Sequence, residues 1–170
     1  MHQPSWAKRS GGSNVDSFQT FFNDTKGRFL NFLIRLTGDA DRAADAFQES
    51  YLRYWKRYGR KEPNVRLLFT IGRNIAIDGH RNRKAQQCLD ENCPDKAPDP
   101  ESAVIVKESY GRMLKALAAL DPGERELLSL AADGHFRYSQ IALITRMSEA
   151  NVKVKIHRAR QKLRRHLKEA

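Results

Sequence analysis

The chain has 170 residues, a net charge of +11 and 40% hydrophobic residues, which suffices for one medium core or two small ones. The cationic excess points to a polyanionic partner, most often nucleic acid, with a membrane surface as the alternative. Because no stretch has the apolar length of a signal peptide or a membrane span, we expect no membrane insertion and a cytoplasmic location. Cys88 and Cys93, the only cysteines, are too few for a disulfide framework and are expected to be reduced thiols.

The charge divides the chain into three blocks. Residues 1–86 carry 16 Lys and Arg against 8 Asp and Glu, and residues 104–170 carry 14 against 7, whereas residues 87–103 carry 1 against 5. The acidic block also contains Pro94, Pro98 and Pro100, so residues 88–103 are expected to form an extended, flexible linker. The sequence therefore predicts a disordered polar tail (1–15), a first domain (16–87) and a second domain (104–170).

Helical spacing of apolar residues dominates both domains, and no run of alternating β-branched residues indicates a strand. We therefore predict an all-α fold of two small helical domains. In the first domain, one helix ends at Gly38, Asp39 or Asp41 begins a second over about 42–58, and a third covers about 65–84 after a polar loop, 59–64. The predicted core positions are Phe18, Phe22, Phe29, Leu33 and Leu36 in the first helix, Ala44, Phe47, Tyr51, Trp55 and Tyr58 in the second, and Leu68, Ile71 and Ile75 in the third.

The outer faces of the second and third helices differ in chemistry. The second presents carboxylates, an amide and a leucine at helical spacing, which suits a protein partner better than DNA, although a plain solvated face explains it as well. The third presents cations that can neutralise phosphates beside an amide that can contact a base, with ordinary surface charge as the alternative. The residues are Asp45, Gln48, Glu49 and Leu52 on the second helix, and Arg66, Thr70, Arg73, Asn74, Ile77, Arg81 and Lys84 on the third.

The second domain is predicted to contain four helices. The first carries Tyr110, Leu114, Leu117 and Leu120. The next begins at Asp121, with Glu124 in the capping-box position, and ends near Gly134. Ser139 and Ser148 are then expected to be the N-caps of a short helix and of a long one that runs almost to residue 170.

The last two helices have the order and lengths of a helix-turn-helix, whose second helix enters the major groove of DNA. Val152, Ile156, Ala159, Leu163 and Leu167 form its predicted buried face. The opposite surface carries Lys153, Lys155 and His157, while Asn151 and Arg158, near the start of the helix, can reach base edges. A solvated basic helix is the alternative. However, residues 146–170 hold nine Lys and Arg against two Glu, and so many cations repel one another unless an anionic partner is present.

Four segments, in this order, resemble the sigma factors of bacterial RNA polymerase. Residues 36–39 (LTGD) with 44–49 (ADAFQE) resemble the sigma-factor helix that binds the polymerase clamp, and residues 71–78 (IGRNIAID) resemble the −10-promoter helix. Residues 138–142 (YSQIA) and 152–160 (VKVKIHRAR) resemble the −35-binding helix-turn-helix. The middle domain of larger sigma factors is absent, so the resemblance is to the extracytoplasmic-function subfamily.

The resemblance implies a chain that binds core RNA polymerase and directs it to promoters, with a dedicated anti-sigma factor and no cofactor. Asp45, Gln48 and Glu49 would contact the clamp helices, and Asn74 would contact the partly melted −10 element. The loop 59–64 would receive an extruded base, and Lys153, Val154, His157 and Arg158 would face the −35 duplex. Arg146 stands where the family usually has glycine, which costs about 1 kcal/mol if the turn requires a positive φ.

Two other functions are compatible with parts of the sequence. A helix-turn-helix regulator that makes no polymerase contact shares the last helix but gives no reason for the Asp45, Gln48 and Glu49 face. An enzyme is disfavoured because no nucleophile motif, glycine-rich phosphate loop or paired-histidine metal spacing is present. Cys88 and Cys93 with His80 could bind zinc in principle, but their spacing departs from the usual pattern, so we expect no metal.

Overall fold

The structure is a computed structural model that describes residues 14–59, 61–87, 104–132 and 134–169, with side chains at 16–59, 61–79, 110–132 and 134–168. The described residues form seven helices and no strand, which confirms the all-α prediction. The helices are α1 (Asn14–Thr37), α2 (Ala40–Tyr58), α3 (Val65–Gln87), α4 (Val104–Ala118), α5 (Pro122–Ala131), α6 (Tyr138–Thr145) and α7 (Glu149–Glu169). Within the described ranges no helix is both long and apolar enough to cross a bilayer.

The predicted domain boundaries lie within two residues of the ends of the observed helices. α3 ends at Gln87 and α4 begins at Val104, on either side of the predicted linker. α1 begins at Asn14, so the last two residues of the predicted tail are helical. Residues 1–13 and 88–103, the latter including Cys88 and Cys93, lie outside the described residues.

The α1–α2 corner follows the sequence prediction. Gly38 has a φ of +70°, a left-handed conformation that glycine adopts without a Cβ clash, and its N–H bonds to the carbonyl of Ile34. Of the two predicted capping residues, Asp39 is the N-cap of α2, because its Oδ1 accepts the backbone N–H of Arg42 at 3.0 Å. α1 and α2 are therefore joined by one glycine and one capping aspartate.

The buried face of α2 is rotated from the predicted one. Ala44 is exposed and Trp55 is 39% exposed, whereas Ala43, Ala46 and Tyr54 are buried. The two alanines occupy buried positions because small side chains let α2 approach α1 and α3 closely, and aromatic rings such as that of Tyr54 fill the space beside them. Ser50 is also buried and satisfies its hydroxyl on the carbonyl of Ala46, one turn earlier.

The buried face of α3 is shifted in the same way. Leu68 is buried as predicted, but Ile71 and Ile75 are only half-buried, and Phe69, Gly72 and Ala76 take the inner positions. The Phe69 ring lies 5.1 Å from that of Phe29 and 5.0 Å from that of Phe32. Aromatic rings of α1 and α3 therefore meet across a seam lined by small residues.

A pair of glycines on α3 tests this close packing. A Cβ on Gly72 would overlap the Phe29 ring, which has no exposed surface and cannot move aside, and would lie 3.1 Å from Ser50 Oγ. Gly72→Ala is therefore expected to lower the free energy of unfolding by about 1–3 kcal/mol through overpacking. A Cβ on Gly79 meets open space, so Gly79→Ala should be neutral or stabilising by up to about 1 kcal/mol. Urea unfolding followed by circular dichroism measures both, and equal effects at the two positions would contradict the packing.

The N-terminal half comprises α1 to α3 and the C-terminal half comprises α4 to α7, which is built around α7. Val152, Ile156 and Ala159 are buried as predicted and Leu163 packs partly against them, but Leu167 is 44% exposed, since the end of α7 extends past its neighbours. α7 contacts α4, α5 and α6, so every helix of this half touches it. Its apolar stripe is the core of the half.

Of the three predicted helix starts in this half, those at Asp121 and Ser148 are confirmed and the one at Ser139 is wrong. Asp121 is the N-cap residue of α5, which begins at Pro122, but its side chain makes no capping hydrogen bond. Its carboxylate lies 3.1 Å from Lys162 Nζ of α7, and Glu124 lies 2.7 Å from the same ammonium group. α6 begins at Tyr138, and the backbone N–H of Arg137, not Ser139, marks its start by donating to Gln140 Oε1. Ser148 is confirmed, because its Oγ accepts the N–H of Asn151 at 3.3 Å. The two ion pairs of Lys162 therefore join the start of α5 to α7.

The two halves are packed against each other. α1 contacts α5 and α3 contacts α6, and the Phe69 ring of α3 lies 4.9 Å from the ring of Phe136, just before α6. Arg35 of α1 is buried and its Nη2 donates to the carbonyl of Ser129 on α5 at 3.4 Å. With the exception of Ala116, the buried apolar side chains of the described residues consequently join in one cluster across the predicted domain boundary.

Candidate nucleic-acid and protein interfaces

The surface of α7 opposite its buried stripe is exposed and cationic. The predicted DNA-contacting residues Asn151, Lys153, Val154, Lys155, His157 and Arg158 are all exposed. Val154 is 49% exposed, an apolar patch among charges that suits contact with a thymine methyl group. α7 thus brings together the whole predicted set on the first three turns of the helix.

One cation of this surface already has an acidic partner. Lys153 Nζ lies 2.9 Å from Glu149 Oε1, and this hydrogen bond raises the pKa of Lys153 above its ordinary value. Both side chains are about half exposed, so the pair contributes little stability and can exchange for a phosphate contact. Lys162, further along α7, is held between Asp121 and Glu124 and so makes a structural contact with α5.

The turn between α6 and α7 contains a residue with a positive φ, at the position where the sigma factors usually have glycine. Arg146 has φ +57° and ψ +40°, the left-handed region, and its N–H bonds to the carbonyl of Ala142. Met147 N–H also bonds to Ala142 O, at 3.0 Å, which closes the turn. The non-glycine residue carries about 1 kcal/mol of strain here, and it sets the angle at which α7 leaves the turn.

The predicted stripe on α3 is only partly presented to solvent. Arg66 and Asn74 are exposed, while Thr70 is half-buried and donates its hydroxyl to the carbonyl of Arg66 at 2.8 Å. Arg73 is not free, because its Nε and Nη2 lie 2.5 and 3.3 Å from the two carboxylate oxygens of Glu126 on α5. The side chains of Arg81 and Lys84 lie outside the described residues. In this structure Arg73 therefore forms an ion pair with Glu126 that joins the two halves.

The loop before α3 is fastened at its end. Asn64 caps α3 by accepting the N–H of Leu67 at 3.0 Å, and its own N–H donates to Tyr54 Oη at 2.7 Å. Burial raises the pKa of Tyr54 above its ordinary value, so the phenol stays protonated at neutral pH. Lys61 and Glu62 are exposed, so the described part of the loop presents polar side chains from a fixed base.

The predicted protein-docking face of α2 is open. Asp45, Gln48 and Leu52 are exposed, with Leu52 at 52%, and the side chain of Glu49 is 44% exposed. Glu49 Oε1 lies 2.5 Å from Arg53 Nε one turn later, a solvent-exposed pair. The four residues occupy one side of the helix, as their spacing predicts.

Two features of this surface escaped the sequence prediction. Trp55 was assigned to the core, but one side of its ring packs on Phe18, at 4.5 Å between centroids, and the rest is exposed. Its position three residues after Leu52 places it beside that leucine, so an aromatic residue extends the docking face. The signal was available, because a tryptophan three residues beyond an exposed leucine continues the same helical side. Glu126, the partner of Arg73, gave no signal, since no local pattern relates residues 53 positions apart.

The chain matches a known family and known folds. The family model described as Sigma-70, region 4, matches residues 110–163, which contain the helix-turn-helix. The chain is 27% identical over 171 residues to the ECF RNA polymerase sigma factor SigL of Mycobacterium tuberculosis, covering 96% of this chain and 97% of that protein. It is 30% identical over 135 residues to the ECF RNA polymerase sigma factor EcfG of Rhodopseudomonas palustris, covering 78% of this chain and 75% of that protein.

Solved structures share the fold. The sigma factor RpoE from Bartonella quintana, in complex with the anti-sigma factor NepR, matches with a TM-score of 0.74 and 24% identity, over 91% of this chain and 98% of that chain. CnrH, in complex with the cytosolic domain of CnrY, matches with a TM-score of 0.68 and 21% identity, over 92% of this chain and 91% of that chain. Taken with the nearly full-length sequence similarity, this confirms the resemblance: the chain belongs to the ECF family of RNA polymerase sigma factors.

Proposed function

We propose that this sigma factor binds core RNA polymerase through the exposed side of α2 and positions it on promoters through α3 and α7. The observation that carries the proposal is α7, where every predicted −35-contacting residue is exposed while the opposite stripe is buried. A structural helix would gain nothing from concentrating cations on one exposed side, because they repel one another. A DNA duplex supplies the compensating charge.

The contacts of α7 divide into two kinds. Lys153 and Lys155 are point charges suited to phosphates, which set affinity and its dependence on salt. Asn151 and Arg158 carry paired hydrogen-bonding groups that can recognise adenine and guanine edges in the major groove, and Val154 and His157 lie between them. The −35 sequence is accordingly read from the first three turns of α7.

The −10 element is assigned to α3 and the loop before it. Arg66 and Asn74 are exposed and would contact a phosphate and a base, and the stripe continues in sequence through Arg81 and Lys84. The base of the loop 59–64 is held by the Asn64 and Tyr54 contact, so a flipped base would meet a fixed surface. Thr70 and Arg73 belong to the same proposed set, although Arg73 is paired with Glu126 in this structure.

Polymerase binding is assigned to Asp45, Gln48, Glu49 and Leu52, with Trp55 beside them. Carboxylates around an exposed leucine and tryptophan combine an apolar anchor with charges that fix orientation, the usual composition of a protein interface. This face distinguishes the proposal from a helix-turn-helix regulator acting alone. Members of this family are transcription-initiation factors, so no enzymatic role is proposed.

Partners and domain roles follow from the same assignments. RpoE and CnrH were each solved with a protein partner, NepR and CnrY, and we infer that an anti-sigma factor also binds this chain. Residues 16–87 would form the polymerase and −10 unit and residues 104–170 the −35 unit, with 88–103 connecting them. The function places the protein in the cytoplasm, where polymerase and DNA are found.

Run-off transcription tests the function. Core RNA polymerase is incubated with a library of random upstream sequences, with and without the purified chain, and the transcribed templates are sequenced. We expect transcripts only with the chain present, from templates enriched in two separated motifs at the −10 and −35 distances. The same templates with the two motifs scrambled are the control, and transcription that is equal with and without the chain contradicts the proposal.

A further inference from the structure

The turn between α6 and α7 contains backbone strain that no contact of its side chain offsets within the described protein. Arg146 adopts φ +57° and ψ +40°, a left-handed conformation that disfavours residues with a Cβ but suits glycine. Its side chain is exposed, and its guanidinium makes no hydrogen bond or ion pair with any residue that the structure describes. Strain of this kind concentrates at functional sites, so we expect a partner outside the chain.

The backbone on both sides of Arg146 is fastened. The N–H groups of Arg146 and Met147 both bond to the carbonyl of Ala142, and Met147 packs partly against the core. Ser148 then caps α7 by accepting the N–H of Asn151. The Arg146 side chain is therefore presented outwards from a fixed base, three residues before the first helical residue of α7.

A helix-turn-helix places this turn at the edge of the DNA groove. Its first helix crosses the DNA backbone, and the N-terminal residues of its second helix contact base edges. The turn that joins the two helices accordingly lies between backbone and groove, where the nearest groups of the DNA are phosphates. Arginine suits this position, because its guanidinium can donate two N–H groups to one phosphate.

The charges at the start of α7 give a further reason for a cation in the turn. Glu149, the first helical residue, is exposed and paired with Lys153. When Lys153 turns to a phosphate, the carboxylate of Glu149 is left beside the polyanion and repels it. A guanidinium three residues earlier opposes that repulsion at the same end of the helix.

We propose that Arg146 anchors the helix-turn-helix to the DNA backbone: its guanidinium binds a phosphate at the edge of the −35 site, and this contact offsets the strain of its left-handed backbone. The inference rests on the proposed role of α7. It adds a phosphate contact at a position where the sigma factors usually have glycine, which has no side chain to make one. Protein stability and DNA affinity should therefore change in opposite directions when Arg146 is replaced.

Three substitutions separate the strain from the charge. Arg146→Gly and Arg146→Asn remove the cation with residues that tolerate a positive φ, whereas Arg146→Lys keeps both the charge and the strain. Thermal unfolding of the full chain should have a midpoint up to about 4 °C higher in the glycine and asparagine variants. In the same two variants, the affinity of the polymerase-bound chain for the −35 duplex selected by run-off transcription should fall about 5- to 10-fold at 0.1 M salt.

The salt dependence of binding identifies the lost contact. The slope of log affinity against log salt should decrease by about 1 in Arg146→Gly and Arg146→Asn, and should stay at the wild-type value in Arg146→Lys. Arg112→Ala removes one cation from an exposed position on α4 and is the matched control, which should change neither the affinity nor the slope.

Neutral methylphosphonates, placed one at a time in the −35 duplex, locate the phosphate. The wild-type complex should lose affinity at one position where the Arg146→Gly complex loses none, while both remain sensitive at the phosphates that α7 contacts. The same pattern of sensitivity in the two complexes would overturn the proposal, because the guanidinium then has no phosphate of its own.

The possible failures are distinguishable. Wild-type affinity and salt slope in Arg146→Gly and Arg146→Asn overturn the proposal alone. A loss of affinity that accompanies a lower unfolding midpoint also overturns it, because the side chain then acts through the fold. If the wild-type complex binds the selected duplex and a scrambled one equally, the proposed role of α7 itself fails, and the inference fails with it.

Discussion

Replacing Asp45, Gln48 and Glu49 together with alanine is expected to abolish binding to core RNA polymerase, lowering the affinity by roughly 100-fold or more. The three side chains are solvent-exposed on one side of α2. Among the side chains that the structure describes, their one recorded partner is Arg53, which forms an exposed pair with Glu49. Alanine favours helix and none of the three side chains is buried, so the fold should persist. The loss would therefore report a missing intermolecular contact rather than unfolding.

Titration of the fluorescently labelled chain with core polymerase measures the effect. A triple variant of exposed polar residues on α1, Gln19→Ala, Asn23→Ala and Asp24→Ala, is the matched control and should bind as the wild type does. Binding of the α2 variant to DNA should be unchanged, because α7 is untouched. Wild-type affinity for polymerase in the α2 variant would instead favour a regulator that acts without this contact.

The sequence predicted exposed faces better than buried ones. On α2 and α7 the charged residues fixed which side meets water, since burying an unpaired charge costs far more than exposing an alanine or a tyrosine. The core side of α2 was wrong by about one residue, because Ala43, Ala46 and Ser50 gave no hydrophobic signal while Trp55 gave a strong one. Close packing between helices favours small residues at the contact. Which positions lie at the contact depends on the neighbouring helix, and the local sequence carries no information about that helix.

Local backbone chemistry was predictable where the cause is local. Gly38 ends α1 with a positive φ, Asp39 caps α2 and Ser148 caps α7, each through contacts within four residues. Asp121 also stands at the N-cap of α5 as predicted, but its carboxylate binds Lys162, 41 residues later, and makes no capping hydrogen bond. The position of the helix start was therefore predictable, whereas the long-range partner of the capping side chain was not.

The contacts between the halves were beyond prediction from the sequence. The acidic segment 88–103 suggested two independent units, and nothing in either unit indicated that Phe69 would meet Phe136 or that Arg73 would meet Glu126. Such contacts follow from the shapes of two folded surfaces rather than from periodicity in either chain segment. The candidate −10 surface on α3 stays a prediction, and the pairing of its Arg73 with an internal carboxylate was not foreseen.

The double substitution Lys155→Ala and Arg158→Ala is expected to weaken binding of the polymerase-bound chain to a −35 duplex by roughly 100-fold. Both side chains are exposed near the start of α7, and a bidentate base contact is worth about 1–3 kcal/mol beyond the phosphate contact made by a lysine. The stability of the chain should be retained, because the buried side chains Val152, Ile156 and Ala159 are untouched. Fluorescence anisotropy at several salt concentrations measures the affinity and its salt dependence together.

The two single variants separate the roles within that pair. Lys155→Ala should weaken all sequences alike and reduce the slope of log affinity against log salt by about 1, as expected for one lost phosphate contact. Arg158→Ala should instead relax the preference at one base pair of the −35 element. Arg164→Ala with Arg165→Ala removes the same total charge from the distal part of α7, where both residues are exposed, and should cost much less affinity without changing the preferred sequence. An equal loss in this control would mean that α7 binds DNA only through its overall charge and that its first turns do not enter the groove.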